Sequence, residues 1–197
     1  MNYKDAINRS LDAHRQVWDL VRNDAQLLKA VDQVIDTIIG AFRNGNKVLL
    51  CGNGGSAADA QHIAAEWQGR YLIDRAPLYA EALHVNTSYL TAVANDYHYD
   101  EVYARAVEAQ GRSGDILIGL STSGKSPNVV RAIEVANKKD MVTIGFTGAA
   151  TDTPMAAKCN ILLPIPSTVT ARIQEMHILL AHIICEETEK ALFGQGD

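Results

Sequence analysis

Lys47-Val48-Leu49-Leu50-Cys51-Gly52-Asn53-Gly54-Gly55-Ser56-Ala57-Ala58-Asp59-Ala60-Gln61-His62 leads from an apolar run of strand length, through a glycine-rich turn, into a helical pattern. Glycines after a strand let the backbone approach an anion closely, and the free N–H groups of the following helix point at that anion with a favourable dipole. The stretch reads as a corner that cradles an anion. A phosphorylated small molecule is the first ligand to consider.

Outward from this corner the same alternation recurs. Apolar runs at 47–51, 80–85, 115–120, 141–146 and 160–165 are separated by patterns of helical length. That rhythm predicts a parallel sheet covered on both faces, a three-layer α/β/α sandwich of five parallel strands with ligands at the carboxyl ends of the strands. Two amphipathic helices precede it: Ile7, Leu11, His14, Trp18 and Val21 recur at steps of three and four, as do Val31, Ile35, Ile38 and Phe42. Asp24 is placed to cap the second helix and Gly45 to end it. A last helix runs from Thr170 to Ala191, and from Met176 to Cys185 it is apolar nearly all round except for His177 and His182. Such a helix is buried on several sides, which points to packing against another copy of the chain as well as the sheet.

Composition narrows the partners. The chain has 197 residues, 47% of them apolar, enough for one domain with a sizeable core, and no repeat, linker or change in composition marks a second. One domain over residues 1–197 is therefore expected. A formal net charge of −5 without any dense Lys/Arg block argues against a nucleic-acid surface or an anionic membrane. The polar start of the chain, with Lys4, Asp5 and Arg9, lacks the apolar centre of a signal peptide, and no stretch reaches the length of a membrane span. Cys51, Cys159 and Cys185 are unpaired by number and spacing, as buried thiols of a reducing compartment would be, so a cytoplasmic location is expected.

A second loop matches the first. Ser121-Thr122-Ser123-Gly124-Lys125-Ser126 follows the strand pattern 115–120 and precedes the helical pattern Val129 to Asn137. Hydroxyl and backbone donors gathered at a helix start can hold a phosphate monoester without a cationic cluster, although an ordinary serine-rich turn with a helix cap has the same look. Two motif matches lead elsewhere. Gly52, Gly54 and Ala57 fit a dinucleotide fingerprint, but the next strand ends near His84-Val85-Asn86 with no carboxylate for a ribose. Gly119 through Ser126 fits the Walker A spacing, yet Gly119 lies inside the strand pattern, and the nearest candidate for a magnesium-binding Asp, in Tyr71-Leu72-Ile73-Asp74, reads as a helix end. Behind the first turn, His62 and Glu66 share one helix face, either as metal ligands or as a structural pair. His182 and Gln174 interrupt the apolar last helix, where a buried imidazole is either a satisfied core group or a working one.

Taken together, Gly52-Asn53-Gly54-Gly55-Ser56 with His62 and Glu66, Ala94-Asn95-Asp96-Tyr97, Ser121 to Ser126, and Ala171-Arg172-Ile173-Gln174-Glu175-Met176-His177 with His182 resemble the sugar isomerase (SIS) domain family, specifically its bacterial phosphoheptose isomerases. The resemblance covers nearly the whole chain. It implies that Ser121, Thr122, Ser123 and Ser126 hold a substrate phosphate, while Asn53, Gly54, Gly55, Asn95 and Asp96, with Glu66 and Gln174, contact the sugar. It further implies Glu66 and His182 as the catalytic pair and a divalent metal, commonly zinc, among His62, Glu66, Gln174 and His182. The implied reaction interconverts sedoheptulose 7-phosphate and D-glycero-D-manno-heptose 7-phosphate through an enediol, upstream of ADP-heptose and of lipopolysaccharide or surface-glycan precursors. The implied assembly is a cytoplasmic homotetramer with active sites at subunit contacts.

Four points qualify the implied picture. Gln174 and His182 are separated by roughly 12 Å of helix rise, so they share a metal only if their side chains converge from two turns apart. After Thr147-Gly148, where the family commonly carries a glycine pair, this chain has Ala149-Ala150-Thr151-Asp152-Thr153-Pro154, which bears on the far end of the sugar. Some SIS-domain relatives are non-catalytic regulators of replication initiation that act by protein contacts; they lack parts of the set His62, Glu66, Gln174 and His182, so its presence here favours an enzyme. A pentose phosphate isomerase of the same superfamily is a third alternative, but such chains usually carry appended regulatory domains.

Overall fold

The computed structural model describes residues 3–194. Helices α1 (Lys4–Asn23) and α2 (Ala25–Arg43) come first, followed by strand β1 (Val48–Gly52) and helix α3 (Gly55–Gln68). Strand β2 (Ala80–Ala82), helix α4 (Thr87–Asp96), a single 3-10 turn (Tyr99–Glu101) and helix α5 (Val102–Gln110) lead to β3 (Ile116–Leu120). Helix α6 (Pro127–Lys138), strands β4 (Val142–Thr147) and β5 (Ile161–Pro164), and helix α7 (Thr170–Phe193) complete the chain. All strand pairs are parallel, in the order β2-β1-β3-β4-β5.

Side chains alternate across the sheet as a period of two requires. Val48, Leu50, Ile116, Ile118, Ile144 and Phe146 join one core with α1, α2, α3 and α7, whereas Leu49, Cys51 and Leu117 join a second core with α4, α5 and α6. The expected three-layer sandwich is therefore present, with both sheet faces covered. β1 and β3 are buried along their whole length, which explains why they read as unbroken apolar runs.

Local expectations fared unevenly. Asp24 caps α2, its carboxylate accepting the Gln26 and Leu27 N–H groups at 3.0 Å each, and Gly45 adopts φ +74° as the chain leaves that helix. β2 is shorter than the apolar run 80–85 suggested: only Leu83 continues its pairing, donating to Leu50 O at 2.9 Å, before the chain bends toward α4. The expected core stripe of α1 is half correct. Val17, Trp18 and Val21 pack inward, but Ile7 and Leu11 are 56% and 62% exposed, because α1 meets α7 there through polar groups: Arg172 with Ser10, and His14 with Glu175 at 2.7 Å. On α7, Ile183 is 40% exposed, so the apolar surround of that helix is not fully covered within one chain. Cys51 and Cys185 are buried and Cys159 half-buried; burial raises all three thiols, Cys159 to about 12, which leaves them unreactive. No helix among the described residues is long and apolar enough to cross a membrane.

Candidate active site

The strand order reverses direction between β1 and β3, and their carboxyl ends, Gly52 and Leu120, are paired neighbours. This is the topological switch point, where α/β sheets open a crevice for ligands. The glycine turn and the hydroxyl turn therefore lie side by side. Gly52 admits no side chain, since a Cβ there would lie 2.7 Å from the Ser56 carbonyl oxygen, and Gly54 takes φ +57°. Across the crevice Asn53 Nδ2 donates to Asn128 Oδ1 at 2.9 Å and Asn128 Nδ2 donates back to Asn53 Oδ1 at 2.8 Å. Tyr99 Oη, from the 3-10 turn after α4, also reaches Asn53 Oδ1 at 3.3 Å.

In the hydroxyl turn, Ser121 Oγ lies 2.9 Å from Ser126 Oγ and 3.5 Å from Ser123 Oγ. Ser126 occupies the N-cap position of α6, yet its side chain makes no capping bond to the helix. The bland reading of this turn as a serine cap is thereby weakened: the hydroxyl that would cap α6 is turned toward Ser121 instead. Thr122 contributes its carbonyl to Gly148 N at 3.1 Å. The atypical segment after Gly148 packs behind the same turn, with Met155 N donating to Gly124 O at 3.2 Å and Thr153 filling the space beside Gly124, whose φ is +65°.

A second cluster joins α3 to α7. His62 Nε2 is 2.9 Å from His182 Nε2 and 3.3 Å from Glu66 Oε1, and one ligand atom from each of the three residues fits within 4.8 Å of the others. Two ring nitrogens at that separation repel unless a proton or a cation lies between them. Two imidazoles and one carboxylate suit zinc, with a fourth position left open. The donor set thus fits a divalent metal of borderline softness. Tyr71, just beyond α3, packs its ring 5.8 Å from that of His182.

The remaining residues named from sequence are placed elsewhere. Gln174 is not with His62, Glu66 and His182: its carboxamide abuts Gly55 and lies 3.4 Å from Ser56 Oγ, at the start of α3. The two turns of α7 that separate it from His182 are matched by the distance along α3 from Ser56 to His62, so each side chain meets a different part of that helix. Asn95 and Asp96 bond to each other at 2.9 Å on the exposed end of α4, and Tyr99 provides the contact from that region to the glycine turn. His177 is a core histidine: fully buried, with Nε2 3.1 Å from Thr147 O, its pKa is lowered by burial to about 4. Sequence reading missed Asn128, Tyr99 and Tyr71. Only Asn128 carried a local signal, two residues after the last serine of the turn.

The SIS domain family matches residues 11–148. The chain is 52% identical to the phosphoheptose isomerase of Rhodospirillum rubrum, over 83% of this chain and 86% of that protein. It is 47% identical to phosphoheptose isomerase 2 of Campylobacter jejuni, over 91% and 89%. This chain belongs to the phosphoheptose isomerase family of SIS domains. The structure of a family member from Francisella tularensis superposes with a TM-score of 0.91 at 34% identity, covering 96% of this chain and all of that one. Phosphoheptose isomerases are sugar-phosphate isomerases, the class of enzyme to which this chain is thereby assigned.

Proposed function

We propose that this enzyme interconverts sedoheptulose 7-phosphate and D-glycero-D-manno-heptose 7-phosphate. The observation that carries the reading is the cluster of His62, Glu66 and His182 between α3 and α7, in a chain whose β3 strand ends in a turn of converging hydroxyls. A ketose–aldose exchange needs a base to carry a proton between C1 and C2 and an acid to serve the oxygens, by way of an enediol. Glu66 presents Oε1 toward His62, which leaves Oε2 to take the carbon-bound proton. His182 exchanges protons at the sugar oxygens. Each such group contributes about 10²- to 10⁴-fold, and fixed hydrogen-bond donors along the developing enediolate contribute further. A zinc ion held by His62, Glu66 and His182 would supply Lewis-acid polarisation of those oxygens.

Ser121, Thr122, Ser123 and Ser126 hold the phosphate, and Asn53, Gly54 and Gly55 face the sugar, with Gln174 over the first turn of α3. Asn95 and Asp96 complete the sugar contacts from α4. The single SIS domain functions in the cytoplasm as a homotetramer, an arrangement that would cover Ile183, Ile7 and Leu11, and its product enters lipopolysaccharide or surface-glycan precursor synthesis. The non-catalytic alternative is disfavoured because a binding protein has no use for three proton-active side chains brought within 4.8 Å. The test incubates the purified protein with a panel of ketose phosphates, with and without a chelator, and follows aldose formation. Turnover of sedoheptulose 7-phosphate above shorter sugars supports the reading; none with any ketose phosphate, even with added zinc, sinks it.

A further inference from the structure

Glu66 belongs to the last turn of α3, where a helix frays because its final carbonyls have no partners within the helix. A base that must be held within fractions of an ångström is poorly placed there unless something grips that turn. Arg75 does so. Its Nη2 donates to the Glu66 carbonyl at 3.0 Å, and its Nη1 donates to Trp67 O at 2.8 Å, Ala76 O at 3.0 Å and Gly69 O at 3.3 Å. The guanidinium is thus a cationic cap on the carboxyl end of α3, favourable to the helix dipole as well.

Arg75 is itself anchored on α7. Its Nε donates to Glu189 Oε1 at 2.9 Å, with both side chains almost fully buried, at 2% and 1% exposure. Glu189 also accepts three successive backbone N–H groups, from Tyr71 at 2.9 Å, Leu72 at 2.6 Å and Ile73 at 2.8 Å. All four acceptor positions of the carboxylate are used. Glu189 lies two turns beyond His182 on the same face of α7. Each arm of the pair therefore ends at the acid–base cluster: one on the backbone of Glu66, one on Tyr71, whose ring packs against His182. Stability alone is a weak reason for such a pair, since desolvation offsets much of the attraction between buried charges.

We propose that the buried Arg75–Glu189 pair is a positioning device of the active site, fixing the last turn of α3 and the Tyr71 segment relative to His182. Neither residue touches substrate; they act through Glu66 and His182. The inference rests on the reading of Glu66 and His182 as the acid–base pair.

The test uses Arg75→Lys, which keeps the charge beside Glu189 but loses the fork that grips the carbonyls, and Tyr71→Leu, which keeps the backbone N–H on Glu189 and the buried pair but removes the ring that packs against His182. Melting temperature, kcat and KM are measured on the oligomer well below its unfolding temperature, with Glu66→Gln in parallel. A displacement of about 1 Å at the reacting groups is worth roughly 10²-fold, so kcat should fall by about 10- to 100-fold in Arg75→Lys, and by less in Tyr71→Leu. KM should stay within about twofold of the parent in both, because the hydroxyl turn is untouched. Full kcat in the folded variants, with only the melting temperature lowered, overturns the proposal and makes the pair structural. Should Arg75→Lys fail to fold, Tyr71→Leu decides by the same criterion. Unimpaired turnover in Glu66→Gln removes the acid–base reading and the positioning role with it, whereas an inactive Glu66→Gln beside fully active Arg75→Lys and Tyr71→Leu sinks the positioning role alone.

Discussion

The glycine turn after β1 and the hydroxyl turn after β3 start from adjacent strand ends and lead into helices on opposite faces of the sheet, yet they are equipped for different work. Behind the glycine turn, α3 carries His62 and Glu66, groups that can change protonation. The hydroxyl turn offers Ser121, Ser123 and Ser126, which donate hydrogen bonds but do not titrate. Helix α7 backs both with one histidine each: His182 enters the cluster beside α3, and His177 is buried against Thr147, behind the hydroxyl turn. On the proposed reading, the difference teaches that the part of a substrate that reacts and the part that is only held are served by different elements. Binding energy from the second can then serve chemistry at the first.

Glu66→Gln breaks the comparison on its reactive side and should show the largest effect. The amide keeps the shape but cannot accept a carbon-bound proton, so kcat should fall by about 10²- to 10⁴-fold with KM little changed, as steady-state kinetics will report. On the holding side, Ser126→Ala deletes a donor to a charged group, worth about 1.5–3 kcal/mol. KM should rise by about tenfold or more while kcat at saturation is retained; the reverse split would merge the two regions into one. Asn128→Ala cuts the bridge between them. Two neutral hydrogen bonds at about 1 kcal/mol each are at stake, and both constants should worsen by severalfold, in a ratio that measures how strongly the turns are coupled.

The smallest effect separates the two histidines. The folded pKa of His177 is depressed by burial to about 4, against about 6.5 unfolded, so the unfolded chain binds the extra proton between those values. Stability contributed by keeping this ring neutral is complete above about pH 6.5 and declines as pH falls toward 4, at up to about 1.4 kcal/mol per pH unit. His84, lowered in the same direction by burial, adds to the trend. His177→Gln should therefore flatten the dependence of melting temperature on pH across that window without abolishing turnover. Loss of activity with unchanged pH dependence would make His177 part of the chemistry.

What could be read from the sequence follows the range of the interactions concerned. The strand–turn–helix corners, the cap at Asp24 and the pairing of His62 with Glu66 depend on residues a few positions apart, and local pattern found them. The approach of His182 to His62 spans the chain, and composition and spacing left it open between core and site; the family resemblance supplied it. Gln174 shows the limit from the other side. Its helix was correctly read, but which part of α3 it faces depends on how the two helices are offset, which no periodicity encodes. Arg75 and Glu189 carried no local signal, because a buried pair is visible only once both partners are in place. Ile7 and Leu11 matched a core stripe by spacing, yet what they would lie on is not supplied by their own helix.

The carboxamide pair across the crevice settles a matter of polarity. Asn128 Oδ1 accepts the Val129 N–H at 3.0 Å, and a backbone N–H only donates, so Asn128 cannot be flipped without losing that bond. With that oxygen fixed, Asn53 must present Nδ2 to it and Oδ1 to Asn128 Nδ2 and Tyr99 Oη. One hydrogen of Asn53 then has no protein partner among the described residues. At Asn53 the crevice can therefore give a hydrogen bond but not accept one, and the sense of that offer is dictated by the first turn of α6. A ligand oxygen is welcome there and a ligand N–H is not. On the proposed reading, the direction in which one backbone N–H points thus favours a sugar oxygen over an ammonium group at this position.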